Sequence, residues 1–157
     1  MDIEELSREE CLRLLQYESY VGRVAFIAEG RPMILPVNYL ADDKAVVFCT
    51  APGDKLTNLR EAAPFAFEVD AIRPLYNSGW DVVVQGTAME ILDPDELELL
   101  RRGPLKSWAT SAPEHWIRIT IEDISGRRTG AWALGWRYDK LADQMEADIA
   151  PRCTSRN

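Results

Sequence analysis

One short segment of this chain concentrates residues able to hold an anion: Phe48-Cys49-Thr50-Ala51-Pro52-Gly53-Asp54-Lys55-Leu56-Thr57-Asn58-Leu59. A strand ends at Thr50, a Pro-Gly turn follows, and a helix begins near Asp54. The first amides of a helix lack intrahelical acceptors and carry partial positive charge, so they attract anions. Thr50 adds a hydroxyl at the strand end, and Lys55 adds a full charge on a flexible stem. The set makes a cradle for a single phosphate. The same pattern is also that of an ordinary turn before a capped helix.

Other chemistry is poorly provided for. The chain has a single histidine, His115, just before a strand. A Ser-His-Asp triad or a haem ligand must use it. The three cysteines, Cys11, Cys49 and Cys153, have no metal-ligand spacing. They fit a reducing compartment, and a cytoplasmic protein is expected. Neither a Walker loop nor a dinucleotide GxGxxG fingerprint occurs. Asp93, Asp95, Glu96 and Glu98 could be metal ligands on paper. At a helix start they serve equally as favourable charge against the helix dipole. No metal is expected, and no catalytic side chain is assigned.

The elements that must position these residues are mostly strands. Ser7 with Glu10 is a capping box for a helix whose stripe is Cys11, Leu12, Leu14 and Leu15, ending near Tyr17. Strands are then expected at 21–27, 33–40 (interrupted by Pro36) and 44–50, joined by short turns into an antiparallel meander. A helix from Lys55 to Glu61 leads to a strand at 65–70. A long strand runs from Trp80 to Leu92, with Gly86 marking a bulge or a barrel corner. A helix with Pro94 in its first turn precedes an alternating strand from Trp116 to Glu122. Arg127 and Arg128 are a further source of positive charge, or a solvated turn beside Gly126. Six strands and three small helices point to a mainly β, closed or half-closed barrel, because an open sheet would leave aggregation-prone edges. One domain over residues 1–138 and a tail over 139–157 are expected.

Composition narrows the function. The 157 residues carry 18 Lys and Arg against 26 acidic residues, a net charge of −8. That argues against a broad grip on nucleic acid, which needs a basic face. No apolar run reaches the length of a membrane span. Five tryptophans (Trp80, Trp108, Trp116, Trp132 and Trp136) supply core or interface packing, or a stacking surface for a ring.

The chain resembles the flavin-binding split barrels related to pyridoxamine 5′-phosphate oxidase. The resemblance spans roughly Ser7 to Arg128 and lies in the order of Tyr17–Ala25, Pro32–Tyr39, Val47–Thr50 with Lys55 and Asn58-Leu59, Val82–Ala88 and Trp116–Ile119. It implies a six-stranded antiparallel split β-barrel and an FMN-dependent oxidoreductase acting on an unknown substrate. Deazaflavin is the alternative cofactor, and a non-enzymatic flavin or haem binder the alternative function. Pro36, Val37, Asn38 and Tyr39 would then run along the isoalloxazine ring. Thr50, Lys55 and Asn58 would meet the phosphate, while Trp80 and Asp81 would lie near the ring or across the interface of a homodimer. Further basic residues for a substrate phosphate are not evident, and Arg23, Arg60 or Arg73 could complete the cradle.

Overall fold

The structure, a computed structural model, describes residues 3–50, 63–73, 78–105 and 115–129. The helix expected at 55–61, Lys55, Asn58, Trp108, Trp132, Trp136 and the tail at 139–157 lie outside the described residues. Strand β1 spans Ile3–Glu5, helix α1 Arg8–Tyr17, β2 Val21–Ala28, β3 Arg31–Ala41 and β4 Ala45–Thr50. Strand β5 follows at Ala63–Arg73, β6 at Ser78–Glu90, helix α2 at Pro94–Arg102 and β7 at His115–Thr129.

Strands β2, β3 and β4 form the expected meander, with Val24 opposite Leu35 and Leu40 opposite Val47. Strand β4 pairs with β7, β7 with β6, β6 with β5, and β5 with β2. The six expected strands therefore close a ring. The seventh, β1, adds to β7 at Arg127–Thr129, on the edge whose other half is paired to β4. Its residues are all exposed and two are acidic, so it carries no burial pattern that a sequence reading can detect.

The bulge expected at Gly86 is present: the β6–β7 register shifts between Gln85 and Gly86. A Cβ on Gly86 would stand 1.7 Å from the Thr120 carbonyl oxygen, so only glycine allows the two backbones this approach. Beyond the bulge β7 runs on to Thr129, longer than expected. Its outward positions there are polar, including Asp123 and Arg127, which hides the strand from a hydrophobicity reading. Arg127 and Arg128 are consequently strand residues rather than a turn.

Inward positions alternate along the strands and are filled. Val24, Phe48, Phe67, Val69, Val82, Val84, Ile117 and Ile119 are wholly buried in one core. Helix α1 adds Cys11, Leu14 and Leu15 to it. Its capping box forms as expected, with Ser7 Oγ accepting from the Glu10 amide and Glu10 Oε2 accepting from the Ser7 amide. Helix α2 lies outside the barrel, where Leu97 and Leu100 pack on a second cluster of Cys49, Ile91, Leu105 and Trp116. Asp93 caps it by accepting from the Asp95 amide, and Glu96 pairs with Arg118. Among the described residues the acidic group at 93–98 thus serves the helix.

Arg128 ties three elements together. Its guanidinium donates to both oxygens of Glu4, at 2.7 and 2.6 Å, and to Glu10 Oε1 at 3.0 Å. It joins β1 and the cap of α1 to β7. Hydrogen bonds from Arg128 and from Ser7 hold the Glu4 and Glu10 carboxyls, respectively, below the usual glutamate range.

Two predictions follow from these contacts. Gly86→Ala should lower stability by about 3 kcal/mol or more, because the clash is with backbone. Urea unfolding measures the loss. Gly30→Ala at the exposed β2–β3 turn, where φ is +73° with nothing within 4 Å, should cost only about 1 kcal/mol. Second, Glu4 and Glu10 titrate lower in the folded chain than in the unfolded one. Their stabilisation is present above the unfolded glutamate value and lost as pH falls through the folded one. Arg128→Gln should therefore lower the urea midpoint at neutral pH and converge with the parent in acid. An equal deficit at both pH values would refute the ionic clasp.

Candidate functional site

The closed core leaves the outside of the barrel for binding. On β2, Val21, Arg23, Ala25 and Ile27 face outward, since Gly22, Val24, Phe26 and Ala28 are buried. The register sets Arg23 opposite Pro36 and Ala25 opposite Ile34 on one side, and Glu68 and Ala66 on the other. The result is an apolar sheet face over β3, β2 and β5, with Ile27 and Ile34 each 66% exposed. A groove of about 500 Å³ crosses it, lined by Ala25, Ile27, Pro32, Ile34, Ala66 and Gln85. One ionic cluster interrupts the face: Arg23 Nη1 donates to Glu68 Oε2 at 2.8 Å and to Asp70 Oδ1 at 2.7 Å.

Pro36 and Asn38 belong to this outward face. Among the described residues β4 pairs only with Tyr39–Ala41 of β3, so Pro36 has a strand neighbour on the β2 side alone. The Tyr39 amide donates to the Tyr20 carbonyl, at 3.2 Å. By antiparallel alternation the amide of Val37 also faces β2. Pro36 thus turns its missing donor and its carbonyl to the open side. A proline fits there without costing a ladder bond.

Val37 and Tyr39 behave differently from their neighbours. Both side chains are buried in the core. Tyr39 Oη donates to the Leu15 carbonyl at 2.6 Å, and its ring meets Phe67 edge-on at 4.7 Å. Burial pushes this phenol far above the usual tyrosine range, so it stays a donor. These two residues have only backbone to offer a ligand on the outer face.

Thr50 is buried at the end of β4, two residues past Phe48, the partner of Tyr39 on β3, and lies opposite His115 of β7. His115 Nδ1 is 2.6 Å from Glu90 Oε1. Glu90 is a partner that sequence reasoning missed, because it comes from β6 through the barrel register. The structure thus brings Pro36, Asn38 and Thr50 to one region. Lys55 and Asn58 lie outside the described residues.

Trp80 and Asp81 are elsewhere in the chain. Trp80 pairs with Arg128, at the opposite end of β7 from His115 and Thr50, on the order of 40 Å along the strand path. Its side chain is core, and its indole N–H is buried without a hydrogen-bond partner. Asp81 faces Arg127 at 3.3 Å. Both line a second cleft of about 440 Å³, with Ile3, Ile72, Ser78 and Arg127 also on its wall. Arg23, one of the candidates to complete a phosphate cradle, is already engaged by two carboxylates.

Among the described residues no helix is long and apolar enough to cross a membrane. Comparison with known proteins agrees with this architecture. The chain is 34% identical over 132 residues to the uncharacterized protein Rv0080 of Mycobacterium tuberculosis (strain ATCC 25618 / H37Rv), covering 81% of this chain and 86% of that one. A solved FAD-binding protein from Mycobacterium smegmatis superposes with a TM-score of 0.68 at 31% identity, over 81% of this chain and 98% of the other. A FAD-binding protein from Mesorhizobium loti gives 0.68 at 29% identity, over 83% and 100%. The family model described as pyridoxamine 5′-phosphate oxidase matches residues 7–128, from the cap of α1 to the Arg128 clasp. The chain belongs to the pyridoxamine 5′-phosphate oxidase family, and its closed ring of strands is that family's split barrel.

Proposed function

We propose that this protein is an FMN-binding oxidoreductase that works as a homodimer. The ring lies on the outward face along Pro36–Tyr39, and the phosphate end is assigned to Thr50, Lys55 and Asn58. The observation that carries the reading is the β3–β4 register, Tyr39 opposite Phe48, which brings the open backbone edge at Pro36 toward the Thr50 end of β4. An apolar face beside a few placed polar groups is what a flavin requires. Similar proteins described as FAD-binding support the cofactor class.

Bound flavin supplies hydride transfer. The chain's own part is to hold and orient it. Ile34 and Pro36 offer an apolar bed, the Pro36 carbonyl can accept from a ring N–H, and Lys55 neutralises a phosphate. Trp80 and Asp81 stand far from Thr50 within one chain, so in this reading they approach the ring only from a second copy. The exposed Ile27, Ile34 and Ile72 give that copy apolar surface to cover. FAD is the second reading, favoured by the two similar structures. A deazaflavin finds less support, since its acidic tail would meet an acidic chain.

Lys55→Ala should weaken FMN binding about ten- to hundred-fold, the loss of one hydrogen bond to a charged group. Riboflavin, which lacks the phosphate, should bind unchanged. Fluorescence titration of both ligands decides, and equal weakening would place the cradle elsewhere. FAD binding far tighter than FMN would favour the second reading. Light scattering at micromolar concentration should return the mass of a dimer, and a monomer would sink the shared groove.

A further inference from the structure

The Arg23–Glu68–Asp70 cluster carries one negative charge in excess on a largely apolar face whose groove is also lined by Gln85 and Glu122. Arg23 is the direct cross-strand neighbour of Pro36, and Glu68 is the direct neighbour of Arg23 one strand further. The three side chains are partly exposed, at 51%, 33% and 23%, so none is a core residue. Both carboxylates are within hydrogen-bond reach of one guanidinium nitrogen. A single arginine would be neutralised by one carboxylate, so the second leaves the face negative. Two strand spacings of roughly 5 Å put β5, which carries the carboxylates, about 10 Å across the sheet from Pro36.

We propose that this cluster is an electrostatic bias on the cofactor, set to disfavour its anionic reduced form. The proposal rests on the binding reading above, with the ring's polar edge at Pro36. Oxidised FMN has a neutral ring. Uptake of two electrons and one proton leaves the ring with one negative charge, and a second proton makes it neutral again. A fixed negative charge nearby raises the energy of the anion and leaves the oxidised ring nearly untouched. The reduced cofactor is then bound more weakly than the oxidised one. Arg23, Glu68 and Asp70 act here as positioning residues for charge, not as catalytic residues.

The test is a charge ladder in the full-length protein with FMN as the probe. Arg23→Gln makes the cluster more negative, Glu68→Gln makes it neutral, and Glu68→Gln with Asp70→Asn makes it positive. Dissociation constants are measured for oxidised FMN and for FMN reduced with dithionite, in mildly alkaline, low-salt buffer. At this range across a half-exposed face, each unit of charge should change the reduced-to-oxidised ratio roughly threefold. The ratio should rise for Arg23→Gln, fall for Glu68→Gln, and fall about tenfold for the double variant. A tenfold fall corresponds to a midpoint potential about 30 mV higher for a two-electron couple. The steps should shrink as salt is added, since the Debye length is about 10 Å at 0.1 M.

Urea midpoints verify folding, and Asp70→Asn replaces Glu68→Gln if the latter unfolds, because the net charge is the same. A merely structural cluster would not order the ratios by charge. A parent that binds oxidised FMN, with ratios that do not follow the ladder, overturns this inference alone. A parent that binds no flavin overturns the binding reading and this inference with it.

Discussion

The pairing of β6 with β7 is the constraint on which the remaining structure depends. It joins the two ends of a sheet that otherwise runs β7-β4-β3-β2-β5-β6. Closure removes the two long edges that an open sheet of this size would expose. It demands that the strands bend, and the bend is taken at Gly86, where the register slips and the backbones nearly touch. A side chain at that one position would compete with the ring of hydrogen bonds as a whole.

Closure also decides where a ligand can bind. A small barrel has an interior that its own side chains fill, and here Phe48, Phe67, Ile117 and Ile119 are wholly buried in it. Binding is displaced to the outer face and the rims. The sheet face over β3, β2 and β5 keeps apolar residues in water, at a cost that a cofactor or a second subunit can relieve. On the same face Arg23, Glu68 and Asp70 gather in one ion cluster, and Glu122 stands on the wall of the groove.

Both rims are organised by long-range pairs. At one, β4 and β7 bring Thr50 to His115, and β6 brings Glu90 to the same imidazole. At the other, Arg128 gathers Glu4 and Glu10 beside the cleft that holds Trp80 and Asp81. The separation of these rims is why a single chain cannot bring all the proposed cofactor residues together, and why the proposed function includes a second copy.

Local chemistry in the sequence determined much of this protein. The Ser7–Glu10 capping box, the stripe on α1, the three-strand meander, the bulge at Gly86 and Pro94 at the start of α2 all follow from short-range rules. The resemblance across Ser7 to Arg128 was legible as well. What the tertiary structure decided is which side chains are spent on the core. Alternation in β3 turns Tyr39 and Val37 inward and Pro36 and Asn38 outward, and the Leu15 carbonyl then claims the tyrosine hydroxyl. Strand β1 was hidden because it is short and fully exposed, and the far half of β7 because its outward residues are polar, with Arg128 bound to partners more than a hundred residues away. The Arg23–Glu68–Asp70 cluster was hidden for the same reason. A cross-strand ion pair is made by register between distant segments, and register exists only once the barrel has closed.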